Sequence, residues 1–327
     1  MSARLDEHMR LRRQFQACES NTLGPKLPDG ILNQFTAAIA ANDRDAVRAL
    51  LDEHFPDRTK LFPGKYNIHE LFPVISQAAQ NDQVDILKEI FVPYPFPYQS
   101  TDFVAREAID AGSENTLLLL LEHGWNINQR IHPGPTVLET LLHLGAQNPQ
   151  DRSMVMWLIA HGASLNERPR HIDSTGMSQA VEHTSLDLVR KLVDECGGDI
   201  HRGQLLHHAL KRKSRIQSGT QSESKPMAAH DVVEMLSLLL ERGAPLNLTL
   251  YADDVVSSHK YRNSDHGTPL HEAAQMGNVE AVRYLLAQGA DTSIASTRSK
   301  TTALAWAENA GHKDVVAMLR SQDQDKL

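Results

Sequence analysis

The stretch Gly267-Thr268-Pro269-Leu270-His271-Glu272-Ala273-Ala274-Gln275-Met276-Gly277-Asn278-Val279-Glu280-Ala281-Val282-Arg283-Tyr284-Leu285-Leu286-Ala287-Gln288-Gly289-Ala290-Asp291 decides the fold of this chain. Thr268 is placed as an N-cap, its hydroxyl meeting orphan helix donors. Pro269 falls at the first helical position, where a missing N–H costs nothing. Leu270, Ala273 and Ala274 form a narrow apolar stripe at helical spacing. The alanines are small, so a second helix can approach closely. Gly277 is placed to end the first helix. A second helix carries Val279, Val282, Leu285 and Leu286 on one face, and Gly289 ends it. The unit reads as helix, tight turn, helix and extended connector, and it cannot bury its apolar face alone.

The same frame recurs along the chain. Phe35 to Leu51 aligns without a gap, through Ala38-Ile39, Asn42-Asp43, Val47 and Leu50. Further units run from Ala78-Ala79-Gln80 to Ile90-Phe91 and from Ala108-Ile109 to Leu120-Leu121. A fourth opens on Thr136 and Glu139, a capping box, and ends at Leu158-Ile159. A fifth spans Ala180-Val181 to Leu192-Val193, and a sixth spans Leu206-His207-His208-Ala209 to Leu239-Leu240. The Thr268 unit is the seventh, and Thr302-Ala303-Leu304 to Leu319 is the eighth. The second-helix apolar position recurs at Leu50, Ile90, Leu120, Leu158, Leu192, Leu239, Leu285 and Leu319, at spacings of 30 to 47 residues.

Thr-Pro-Leu-His-x-Ala-Ala, then Gly-Asn, then Val-x-x-Leu-Leu-x-x-Gly-Ala-Asp resembles one ankyrin repeat nearly end to end. The resemblance extends over about residues 34–320 and implies an all-α ankyrin-repeat solenoid of about eight repeats with hairpin-like connectors. Against the family period of about 33 residues, the excess spacing locates insertions near 54–72, 92–102, 146–152, 211–229 and 248–266. Residues 1–33 read as an N-terminal cap helix and linker, and 321–327 as a polar tail. Charge on the outer faces of the first and last units suits capping repeats.

Composition narrows the function classes. Two cysteines, Cys18 and Cys196, make neither a disulfide framework nor a zinc ligand set, so a reducing compartment is expected. The chain reads as cytoplasmic, with the nucleus open to it through the basic run Lys211-Arg212-Lys213-Ser214-Arg215. That run also reads as a plain solvated loop. No apolar run is long enough to span a bilayer. A net charge of −8 argues against nucleic acid. Protonating all 17 histidines would carry that charge to +9, a swing open to pH sensing. The resemblance instead has His271 and His207, at the Thr-Pro-Leu-His position, bracing backbone between repeats.

No catalytic motif, cofactor loop or metal-ligand spacing is found, so no catalytic residue, metal or cofactor is expected. The adjacent His207 and His208 point to different helix faces and cannot share a metal. Asp253-Asp254 would be an acid/base pair only inside a closed pocket. Function is expected in the connectors. Five of the six tyrosines lie in the three long ones. Phe62, Tyr66, Tyr94, Phe96, Tyr98, Trp125, Tyr251 and Tyr261 are therefore the candidate partner-binding residues, since such rings bring contact area at low entropy cost. Equally, these rings could seal their own loops. The expected function is a monomeric scaffold or adaptor binding another protein through its concave face and aromatic finger loops. The alternatives are a small-molecule binder or enzyme with an aromatic-lined pocket, and an adaptor regulated through 211–229.

Overall fold

The computed structural model describes residues 26–56, 66, 68–91, 98–130, 134–168, 174–212 and 229–324. All regular structure among them is helical, and the chain forms two compact units, residues 1–134 and 135–327.

The first unit holds three helix pairs: α1 (Asp29–Ala40) with α2 (Arg44–His54), α3 (Phe72–Gln80) with α4 (Val84–Phe91), and α5 (Tyr98–Ala111) with α6 (Glu114–Glu122). A 3-10 turn, Ile68–Leu71, leads into α3. First helices pack on first helices and second helices on second, giving two layers. Small residues make the close approach possible: Ala78, Ala79, Ala105 and Ala108 are fully buried. The turns are stitched across pairs. Asp82 accepts hydrogen bonds from the Thr116 backbone N–H at 2.7 Å and from Asn115 Nδ2 at 2.7 Å, so one turn caps the next second helix.

The second unit holds α7 (Val137–His143) with α8 (Pro149–Ala160), α9 (Gly176–His183) with α10 (Leu186–Asp194), and α11 (Leu205–Leu210) with α12 (Ala229–Glu241). An extra helix, α13 (Val255–Lys260), follows, then α14 (Pro269–Gln275) with α15 (Val279–Ala287) and α16 (Ala303–Ala310) with α17 (Lys313–Gln324). Its layering is the same. Leu158, Leu192, Leu239, Leu285 and Leu319 are at most 1% exposed.

Several sequence expectations shift. In the first pair it is Leu51 that is fully buried, while Leu50 is only half-buried. The 146–152 stretch is not all insertion: Asn148 caps α8, accepting from the Asp151 N–H at 2.7 Å, and Pro149 is already helical. Helix also covers the end of the 92–102 stretch and part of 248–266. The outer charges of the first unit turn inward in part, since Arg44 and Arg48 both meet Glu89 on α4, at 2.5 and 2.7 Å. The basic run splits. Arg212 is buried and donates to the backbone carbonyls of Val181 and Thr184, and Lys211 lies 3.9 Å from Glu272. These two side chains are structural. Residues 213–215, including Ser214, and most of residues 1–33 and 321–327 outside 26–33 and 321–324 lie outside the described residues.

Candidate protein-binding finger

The long connector between α12 and α14 is a built structure. Its base is fixed by backbone: Leu250 N–H donates to the Gly267 carbonyl at 2.9 Å, and His266 and Thr297 join adjacent connectors at 2.9 Å. Tyr251 adopts a left-handed backbone with φ of 67°. That turn lays its ring on Tyr261, with centroids 4.7 Å apart and an angle of 22°. His266 meets Tyr251 edge-on at 4.9 Å, and its Nε2 donates to the Tyr261 carbonyl at 2.9 Å.

The acidic residues hold the finger rather than react. Asp254 caps α13, accepting from the Ser257 N–H at 2.8 Å, and this bond, from the Ser257 hydroxyl and backbone, holds its carboxyl below the usual range. Asp253 pairs with Arg168 and accepts from Gln204 Nε2, while Arg168 also reaches Asp254 at 3.6 Å. Burial would raise the Asp265 carboxyl, but hydrogen bonds from Ser299, Arg298 and Ser296 outweigh it and bring it to about 2. Asp253-Asp254 is thus a tether and a cap, with no acid/base geometry.

What the finger presents outward is apolar and basic. Val255 is 85% exposed and Val256 58%, on the first turn of α13. The Lys260 ammonium lies 5.0 Å from the Tyr261 ring centroid. Isolated exposed valines are ordinary, but two adjacent ones on an ordered helix, beside stacked tyrosines, form a patch. Composition gave no signal for these valines, because the search weighted rings and the exposure of α13 is a tertiary fact.

The other candidate residues fall elsewhere. Tyr66 is 7% exposed and packs against Phe55 and His54, both with ring centroids at 6.4 Å. Trp125 is 4% exposed. Both rings are buried in their own unit and offer a partner little area, which is the loop-sealing alternative. Phe62, Tyr94 and Phe96 lie outside the described residues, as does the Tyr98 side chain.

A second constellation runs across the first helices of this unit. His143 and His183 meet edge-to-face at 4.4 Å, and His208 bonds Glu182 at 2.7 Å. Glu272 is pushed up to about 7 by burial, with Lys211 only partly offsetting it, and its Oε2 has no hydrogen-bond partner. Among the described residues no group of His, Cys, Asp or Glu is arranged to hold a metal. A crevice lined by Ile200, Gln204, His207, Pro245 and Leu248 has room for about one water molecule, far below ligand size. No helix among the described residues is long and apolar enough to cross a membrane.

A family model for ankyrin repeats matches residues 227–327 in three copies, the region that contains the finger. No curated protein matches the chain. Ankyrin repeats are generally protein–protein interaction modules, and proteins built from them are typically non-enzymatic binding scaffolds.

Proposed function

We propose, this chain being an ankyrin-repeat protein, that it is a scaffold or adaptor that grips a partner protein through the 248–266 finger. The observation that carries this reading is the exposure of Val255 and Val256 on a tethered helix. An ordered apolar patch ringed by polar groups has the anatomy of an interface core and rim. Tyr251 and Tyr261 supply rigid aromatic area beside it. The tether from Arg168 and Gln204 to Asp253 pre-organises the patch, which lowers the ordering entropy a partner must overcome.

The test is site-specific photo-crosslinking in cells that make the protein. A photoreactive residue at Val256 should trap discrete partner proteins. The same residue at Glu280, exposed on α15, should not. Identical bands from both positions, or none from Val256, would sink the proposal.

A further inference from the structure

We infer that the finger tip takes an acidic segment of its partner, one carrying an aliphatic residue three or four positions from Asp or Glu. This rests on the protein-binding role proposed above and gives that site a partner class. The argument is one of charge. The chain as a whole is −8 and the formal charges of this finger and the neighbouring 290–301 connector cancel, yet their carboxylates and cations are not placed alike. Their carboxylates are already engaged: Asp253 and Asp254 by Arg168, and Asp265 by Arg298 and Ser299 backbone N–H groups at 2.7 and 3.2 Å. Arg262, Arg298 and Lys300 are exposed and form no ion pair among the described residues. Arg262 donates to His259 Nε2 at 2.6 Å.

The cations sit together. Arg298 Nη1 donates to the Asn263 carbonyl at 2.5 Å, which places its guanidinium beside the residue that follows Arg262. The two exposed valines begin the helix that ends just before this cluster. Six residues at 1.5 Å each give a helix about 9 Å long, so an extended chain at about 3.3 Å per residue crosses it in about three residues. The recognised segment therefore has its aliphatic residue three or four positions from a carboxylate. A nucleic acid would supply the charge but nothing for the valines, and Tyr251 and Tyr261 stack on each other instead of offering open ring faces.

The experiment pans a random twelve-residue peptide phage library against the full chain. Selected peptides are then titrated on the wild type, on the pair Val255→Ser with Val256→Ser, and on the triple Arg262→Ser, Arg298→Ser, Lys300→Ser. All five side chains are exposed, and equal unfolding midpoints check that each variant folds. The expected peptides carry Asp or Glu three or four residues from Leu, Ile, Val or Met. They should bind at least tenfold more weakly to either variant, and added salt should weaken them on the wild type more than on the triple. Peptides lost on the valine pair but indifferent to the triple overturn the acidic partner and leave the protein-binding finger standing. Peptides indifferent to both variants take the finger down as well. A selected pool without acidic enrichment overturns the inference, as does a phosphoserine replacement that binds tenfold tighter than the carboxylate.

Discussion

The imidazole of His271 joins its own helix cap to the next repeat, with Nε2 3.1 Å from the carbonyl oxygen of Thr301. Its Nδ1 accepts from the Thr268 backbone N–H at 3.1 Å, so the ring proton sits on Nε2 and the ring is neutral. Trp306 closes over it edge-on at 5.1 Å. His207 repeats the device on the Gly267 carbonyl at 3.2 Å. Both histidines of the Thr-Pro-Leu-His position therefore act as braces, as the family resemblance implied.

His271→Ala should lower stability by about 1–3 kcal/mol, because it leaves the buried Thr268 N–H unpaired. Urea denaturation followed by circular dichroism measures it. A loss below about 0.5 kcal/mol would show that the brace is incidental.

Burial holds His207 at about 3, well under its ordinary 6.5. A depressed base favours folding above the unfolded value, so this contribution is full above pH 6.5 and is lost as pH falls toward 3. Glu272 acts with opposite sign: raised to about 7 from 4.5, it contributes most below pH 4.5 and loses that as pH rises through 7. The two contributions offset each other between pH 4.5 and 6.5, about 3 kcal/mol in each direction. Glu272→Gln should stabilise the protein by about 3 kcal/mol at pH 8 and leave stability falling steeply below pH 6.5. A variant with the wild-type pH profile would refute this.

Gly277 has a φ of 68°, and a Cβ there would lie 2.5 Å from His312 Nδ1. His312 Nε2 in turn holds the Gln275 carbonyl at 2.9 Å. Gly277→Ala should cost roughly 2–3 kcal/mol, from left-handed backbone strain plus a displaced bridge. Gly243, at 88°, has nothing within 4 Å of the same position, so its Ala variant should cost only about 1 kcal/mol. Equal losses in thermal melts would contradict the contact.

Replacing Asp253 with Asn weakens the tether to Arg168 without touching the valine patch. Hydrogen exchange across 250–262 should rise severalfold, while the amides of α14 and α15 stay protected. Unchanged exchange in the finger would mean that the backbone bonds at its base suffice to hold it.

Val255→Ser with Val256→Ser should move the unfolding free energy by no more than about 0.5 kcal/mol, since neither side chain is buried. A large loss by calorimetry would mean that the valines pack in solution and are not a docking surface.

Much of the fold was legible because it rests on local rules. Thr268, Thr136 and Gly277 announce caps and turns through their own chemistry, and paired alanines announce close helix contacts. Register in the first pair was less legible: Leu50 and Leu51 are the same residue type one position apart, and only tertiary packing selects Leu51. The finger was legible as a long tyrosine-bearing connector. That Asp253 would bind Arg168, 85 positions away in sequence, was not, since no local pattern encodes such a pairing.

The sequence by itself determined helical pairs and their caps, because spacing and side-chain chemistry set these within one repeat and its neighbour, and the family resemblance implied the bracing role of His207 and His271. Only the tertiary structure decided which aromatic rings and charges meet solvent. Tyr66, Trp125 and Arg212 are buried, while Val255, Val256 and Lys300 face water, because burial depends on what the rest of the chain lays against a side chain.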